Sequence, residues 1–71
     1  MREDVRRARR RAGFTQQDVA DEITAWQRPI SVRSLAGFEI GDRALPHDLT
    51  PMDIFDAIER LRARRRPGGQ G

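Results

Sequence analysis

The 71-residue sequence predicts an all-α protein, a compact bundle of four helices with a fifth left open. A helix-start pattern occurs three times: an apolar residue, then Thr or Ser, then an apolar residue five positions after the first. The hydroxyl accepts a hydrogen bond from a free N–H of the first turn, and the apolar pair can close as a hydrophobic staple. The three copies begin at Phe14, Ile30 and Leu49. No segment shows the strict alternation of a half-buried strand.

The first two helices follow from apolar spacing and from end signals. A helix is predicted over residues 2–12, and Thr15 caps a second one. Inward residues recur at spacings of three and four, so that each helix has one apolar face. They are Val5, Ala8, Ala12, Val19, Ala20 and Ile23. Gly13 stands where a left-handed residue commonly ends a helix. The second helix should end near Trp26, because Pro29 biases its predecessor away from helical geometry.

The third and fourth helices carry the same signals. Ser31 caps the third helix and Gly41 marks its end, and residues 42–49 form a connector. Thr50 caps the fourth helix, where Pro51 suits the first position because its missing N–H would be unpaired there in any case. The predicted inward residues are Leu35, Phe38, Ile54, Phe55, Ile58 and Leu61.

Length and composition predict one domain over residues 1–64 and a disordered tail of Arg, Pro and Gly over residues 65–71. The chain has no cysteine, which excludes thiol catalysis and cysteine-bound metal and fits a reducing compartment. It has neither an apolar run of membrane-span length nor a secretory signal at its start. We therefore expect a cytoplasmic protein with no membrane association.

Charge is distributed unevenly along the chain, whose net charge is +3. Residues 2–11 hold six arginines and two acids, and residues 60–66 hold five arginines and no acid. The span between them holds three arginines and nine acids. Basic ends around an acidic body fit a polyanion that meets only part of the surface. Solvated helix faces and a solubilising tail would explain the same pattern.

Two runs on the second and third predicted helices stand out. Residues 13–23 read Gly-Phe-Thr-Gln-Gln-Asp-Val-Ala-Asp-Glu-Ile, and residues 30–41 contain Ile-Ser-Val-Arg-Ser-Leu and then Phe-Glu-Ile-Gly. Together with Arg9 and Arg43, they resemble the lambda-repressor/Cro-like family of helix-turn-helix DNA-binding regulators. In a helix-turn-helix, the second helix of the pair lies in the major groove while the first crosses the backbone.

The resemblance implies DNA-binding roles for several residues. They are Gln16, Gln17, Ser31, Val32, Arg33, Ser34, Gly37 and Arg43. Gln16 would meet the DNA backbone, and Arg43 would contact a phosphate. Arg33 is the first choice for base readout, because arginine can bond guanine at two atoms. Val32 could touch a thymine methyl group, and Gly37 takes a groove-facing position that is usually polar.

The resemblance also implies a structural pair, in which Arg9 and Glu39 tie the first helix to the end of the third. Removing one partner would leave the other charge in a poorly hydrated site. The connection over residues 24–29 is about five residues longer than is usual for the family. Trp26 is expected to pack in this turn or in the core, in preference to stacking on a base.

The function that the resemblance implies is sequence-specific binding of double-stranded DNA. The protein would regulate transcription, most simply as a repressor that occupies an operator as a homodimer on the nucleoid, with no cofactor. One alternative is a protein-interaction module (an antitoxin, anti-repressor or adaptor) whose acidic faces meet a basic partner. Those faces comprise Asp18, Asp21, Glu22, Asp53, Asp56 and Glu59. Another alternative is a DNA-architectural or directionality factor.

Arginines outside the third helix either reach phosphates or are solvated, and both interpretations stay open. They are Arg6, Arg7, Arg10, Arg11, Arg62, Arg64, Arg65 and Arg66. Catalysis is not expected. The single histidine, His47, stands beside Asp48 in a predicted loop, which is too little for a nucleophile, a base and an orienting group. No metal site is expected either, because the acids show no cation-binding loop pattern.

Overall fold

The computed structural model of the protein describes residues 2–65. This part of the chain forms four helices and no strand, so the all-α prediction is confirmed, and a fifth helix is not found within it. The helices are α1 (Arg2–Ala12), α2 (Gln16–Trp26), α3 (Val32–Glu39) and α4 (Pro51–Arg64). Apart from Arg65, the tail predicted over residues 65–71 lies outside the described residues.

The predicted helix starts at Thr15, Ser31 and Thr50 are confirmed. The Thr15 hydroxyl accepts the N–H of Asp18 at 3.0 Å, and the Asp18 carboxylate accepts the N–H of Thr15 at 2.9 Å. Thr50 forms the same reciprocal pair with the third residue of α4. The Ser31 hydroxyl accepts the N–H of Ser34 at 3.0 Å. Each bond satisfies an N–H that the helix leaves unpaired, so these starts are set by local sequence.

One apolar core joins all four helices. Its buried members are Val5, Phe14, Val19, Ala20, Ile23, Leu35, Phe38, Leu49, Ile54, Ala57, Ile58 and Leu61. Phe55 was expected in this core, but it is only half-buried at its edge, and Ala57 is buried instead. The reason is helical geometry: Ala57 lies on the stripe of Ile54 and Leu61, at spacings of three and four, whereas Phe55 is one residue off that stripe.

The long connection between α2 and α3 folds back on the last turn of α2. The Thr24 hydroxyl accepts the N–H of Ile30 at 3.2 Å and lies 3.3 Å from the Ile30 carbonyl oxygen, to which it donates. The N–H groups of Gln27 and Arg28 both bond the carbonyl of Ile23. Residues 24–26 therefore belong to the end of α2, while residues 27–31 form a loop that is tied back to it.

Trp26 corrects a prediction. It was expected to pack in the turn or the core, yet 66% of it is exposed. The Thr24–Ile30 bonds already close the loop. The ring instead lies under the Arg60 guanidinium, whose central carbon is 5.6 Å from the ring centroid.

Helix packing leaves α3 at one side of the bundle. α4 packs against α1 and α2, and α3 also packs against α1 and α2. The turns after α1 and α3 contain Gly13 and Gly41, each with a φ of +84°, a conformation that favours glycine. The predicted ends of both helices are thus confirmed.

Candidate nucleic-acid interface

A buried ion pair joins α1 to α3 near the start of α2. Arg9 of α1 donates from Nε and Nη2 to the two carboxylate oxygens of Glu39 on α3, each at 2.8 Å. Its Nη1 also donates to the carbonyl of Phe14 at 2.9 Å. The Glu39 side chain is fully buried and that of Arg9 is 10% exposed. Every polar atom of this pair is thereby satisfied within the protein, and the pair holds α3 against α1.

The first turn of α2 presents two amides with different surroundings. Gln16 is half-buried and donates from Nε2 to the Glu39 carboxylate at 3.2 Å, so it belongs to the buried network. Gln17 is exposed and donates to Asp21 at 2.7 Å. Both backbone N–H groups lie in the first turn, where a helix leaves its donors free for an anion.

The start of α3 holds one exposed charge. Arg33 is exposed on the helix, and no described residue forms a hydrogen bond or an ion pair with it. Val32 is half-buried and packs against the core. The Ser31 hydroxyl donates to that of Ser34 at 3.1 Å, so these two polar side chains engage each other. Arg33 is therefore the side chain here with the most freedom to meet a ligand.

Gly37 lies one helical turn after Arg33 on the same outer face of α3. The sequence placed it at a groove-facing position, but the structure covers it with Arg43. A Cβ added at Gly37 would lie 2.6 Å from the Cδ and 2.8 Å from the Cγ of Arg43. The backbone N–H of Arg43 also bonds the Gly37 carbonyl at 3.1 Å. The exposed side chain of Arg43 therefore crosses the outer face of α3 with its stem on Gly37.

Sequence reasoning missed a buried carboxylate between α2 and α4. Glu22, expected on a solvated acidic face, is 3% exposed. Arg64 donates to its two oxygens at 2.6 and 3.0 Å, and Arg60 donates to one of them at 3.0 Å. The Arg64 hydrogen bonds, followed by those of Arg60, hold the pKa of Glu22 below its ordinary value against the opposing effect of burial. The available signal was the spacing of Arg60 and Arg64, four residues apart on one face of α4.

Two further arginines, one within α4 and one directly after it, also form ion pairs. Arg65 contacts Asp18 at 3.5 Å, and its guanidinium carbon is 4.9 Å from the ring centroid of Phe14. Arg62 contacts Glu59 at 3.1 Å within α4. The pKa of Asp18 is lowered, first by the backbone N–H of Thr15 and then by smaller contributions that include Arg65. Arg66 lies outside the described residues.

The outer face of α1 is a second basic surface. Arg7 lies 3.9 Å from Asp4, and both side chains are more than half exposed. The other exposed arginines of this face form no hydrogen bond or ion pair with residues 2–65. They are Arg6, Arg10 and Arg11. Residues 2–65 therefore present two surfaces with unpaired arginines, one on α1 and one on α3.

Comparison with family models, curated proteins and solved structures finds no significant match to this chain. Among residues 2–65, none of the helices combines the length and the apolar character needed to cross a bilayer. The same residues contain no group of three or more metal-binding side chains. Assignment of function therefore depends on the arrangement of the helices and on the chemistry of the exposed residues.

Proposed function

We propose that the protein binds double-stranded DNA sequence-specifically and regulates transcription, with α2 and α3 acting as a helix-turn-helix of the lambda-repressor/Cro-like kind. α3 would lie in the major groove, and the start of α2 would face the phosphate backbone. The observation that carries the proposal is the exposed Arg33 on a capped, rigidly placed helix. Its guanidinium has no partner among residues 2–65 and is free to bond the O6 and N7 atoms of guanine.

The buried network at Glu39 supports this proposal, because a base-reading helix must keep its position while it binds. Glu39 stands at the last position of α3 and is held from two sides by Arg9 and Gln16. The segment that leads into the same helix is held to α2 by the Thr24–Ile30 bonds. Both ends of α3 are thus fixed without using the Arg33 side chain.

The mode of regulation follows from the small size of the interface. A lone short helix with few exposed polar side chains makes few base contacts, so useful affinity requires two copies on one site. We propose a homodimer on a two-fold-related operator, with half-sites about one helical turn apart. Repression by occupation of the operator then needs no cofactor.

Selection of bound duplexes from a random pool tests the proposal. We expect the protein to enrich a short motif containing a G·C pair, and Arg33→Ala to erode preference at that pair. Arg11→Ala is the matched control, since it removes another exposed, unpaired positive charge, this one from α1, and should leave the motif unchanged. If no sequence is enriched above random DNA, specific regulation of transcription is excluded.

The alternative of a protein-interaction module now has one observation in its favour, the exposed Trp26 beside Arg60. Its original support, an acidic face on α2, is weaker because Glu22 is buried under two arginines. This alternative predicts stoichiometric co-purification with a protein partner, with no DNA retained in moderate salt.

A further inference from the structure

We propose that Arg43 reads a base pair from the outer face of α3, and that Gly37 is the positioning residue that makes this possible. The inference rests on the proposed function, and it replaces the phosphate contact expected of Arg43 with a specificity-determining one. Arg43 would supply, from outside the helix, the polar side chain that position 37 lacks. Its guanidinium fits the pair of hydrogen-bond acceptors that guanine exposes in the major groove.

The geometry around Gly37 is the first support. Arg33 and Gly37 are four residues apart, so they lie on one face of α3, about a turn from each other. The stem of Arg43 lies directly on Gly37, with Cδ, Cγ and Cβ at 2.6, 2.8 and 3.2 Å from where a Cβ would stand. This contact explains why Gly37 is buried although it faces away from the core. Arg43 therefore shares the face from which Arg33 projects.

The state of the Arg43 head group is the second support. Its side chain is exposed, and residues 2–65 offer its guanidinium neither a hydrogen bond nor an ion pair. By contrast, the arginines at the end of α4 and directly after it are engaged by Glu22 and Asp18 of α2. The methylene groups of Arg43 already lie along α3, and its guanidinium is free to bind. Such a side chain loses less conformational entropy on binding than a fully solvated arginine does.

The backbone around Arg43 is the third support. The N–H groups of Asp42 and Arg43 both bond the carbonyl of Gly37, at 2.8 and 3.1 Å. The turn after α3 is thus closed onto the residue that the Arg43 stem covers. Arg43 leaves this turn at a set position, and only a residue without a Cβ at position 37 leaves room for its stem.

The test is motif selection from a random duplex pool, followed by titration of the enriched duplex at several salt concentrations. Four proteins are compared: the unaltered chain, Arg33→Ala, Arg43→Ala and Gly37→Ala. We expect Arg43→Ala and Gly37→Ala to lose preference at the same base pair, with about tenfold weaker binding to the enriched duplex. Arg33→Ala should lose preference at a different base pair.

Affinity for random DNA separates the effect of positioning Arg43 from the effect of its charge. Gly37→Ala keeps the Arg43 charge, so its affinity for random DNA should be unchanged, whereas Arg43→Ala should weaken it. Alanine favours a helix over glycine, so Gly37→Ala should remain folded, which circular dichroism checks. Arg43→Lys is a second variant that keeps the charge without the fork and should also lose the base preference.

Two outcomes would overturn the inference in distinguishable ways. If Arg43→Ala weakens all sequences equally and Gly37→Ala keeps the full motif, Arg43 contacts phosphate and Gly37 positions nothing, while the proposed function stands through Arg33. If the unaltered chain enriches no motif, the proposed function fails and this inference fails with it.

Discussion

Glu39 is the residue whose environment most constrains the fold around the candidate interface. Its carboxylate is fully buried and is neutralised by Arg9, with a further hydrogen bond from Gln16. The pairing of Arg9 with Glu39 was predictable only through the family resemblance, because Arg9 is one of six arginines within residues 2–11. Charge patterning alone does not distinguish Arg9 from the other five. The arginine that meets Glu39 must lie on the inward face of α1, and the charge pattern does not show which one does.

The first prediction concerns this pair. Arg9→Ala leaves the Glu39 carboxylate buried without its cation, and we expect it to lower the free energy of unfolding by about 3 kcal/mol. Urea denaturation followed by circular dichroism measures the change. Arg6→Ala, which removes an exposed arginine from the same helix, should alter the stability by less than about 0.5 kcal/mol. Equal effects of the two substitutions would contradict the structural role given to Arg9.

The second prediction concerns the turn after α1. Gly13 has a φ of +84° and open space around its missing Cβ, so a side chain there meets backbone strain and no clash. We expect Gly13→Ala to destabilise the fold by about 1 kcal/mol. Gly37→Ala is the matched control, because Gly37 has no positive φ and its substitution displaces only a surface side chain. If urea denaturation shows no loss in the free energy of unfolding for Gly13→Ala, the backbone at Gly13 is not strained by a side chain.

At the scale of elements, the contact of α4 with α2 depends on one carboxylate. Glu22 is held by Arg60 and Arg64, which lie one turn apart on α4. Helix starts, helix ends and apolar faces could be predicted because they depend on neighbours in sequence. The Glu22 cluster was missed because the spacing of Arg60 and Arg64 indicates a basic face on α4 but not which acid meets it. That pairing depends on how two helices that are distant in sequence pack side by side.

The third prediction is a pH dependence of stability. The pKa of Glu22 in the folded protein lies below its ordinary value of 4.5, so as pH falls the unfolded chain takes up the proton first. The stabilisation is fully present above about pH 4.5 and is lost as the pH falls through the folded pKa. Urea denaturation at pH 7 and at successively lower pH should show this decline. Glu22→Gln should show a shallower decline, and an unchanged pH profile would contradict the assignment.

The connection between α2 and α3 is another feature at this scale. Its extra length was evident from the sequence, but its closure by Thr24 on Ile30 was not, because Thr24 gave no turn signal. We expect Thr24→Val to loosen the start of α3 while α2 stays intact. Amide hydrogen exchange should show faster exchange at Ser34 and Leu35 and no change at Ala20. Unchanged exchange at the start of α3 would show that the loop is held by other contacts.

Over the whole molecule, the distribution of unpaired arginines decides where a polyanion would bind. Within residues 2–65, five arginines form neither a hydrogen bond nor an ion pair with the rest of that segment. They are Arg6, Arg10, Arg11, Arg33 and Arg43. Composition predicted a basic protein with two basic ends, but not that the arginines at residues 60–65 form ion pairs with acids of α2 and α4. Among residues 2–65, the unpaired arginines therefore lie on the outer face of α1 and on or beside the outer face of α3.

Backbone amide chemical-shift mapping with a mixed-sequence duplex at low salt tests most directly which of these two faces meets DNA. We expect the largest shifts at residues 16–17, 31–37 and 43, with small shifts along residues 3–11. Largest shifts along α1, with α3 unaffected, would contradict this expectation.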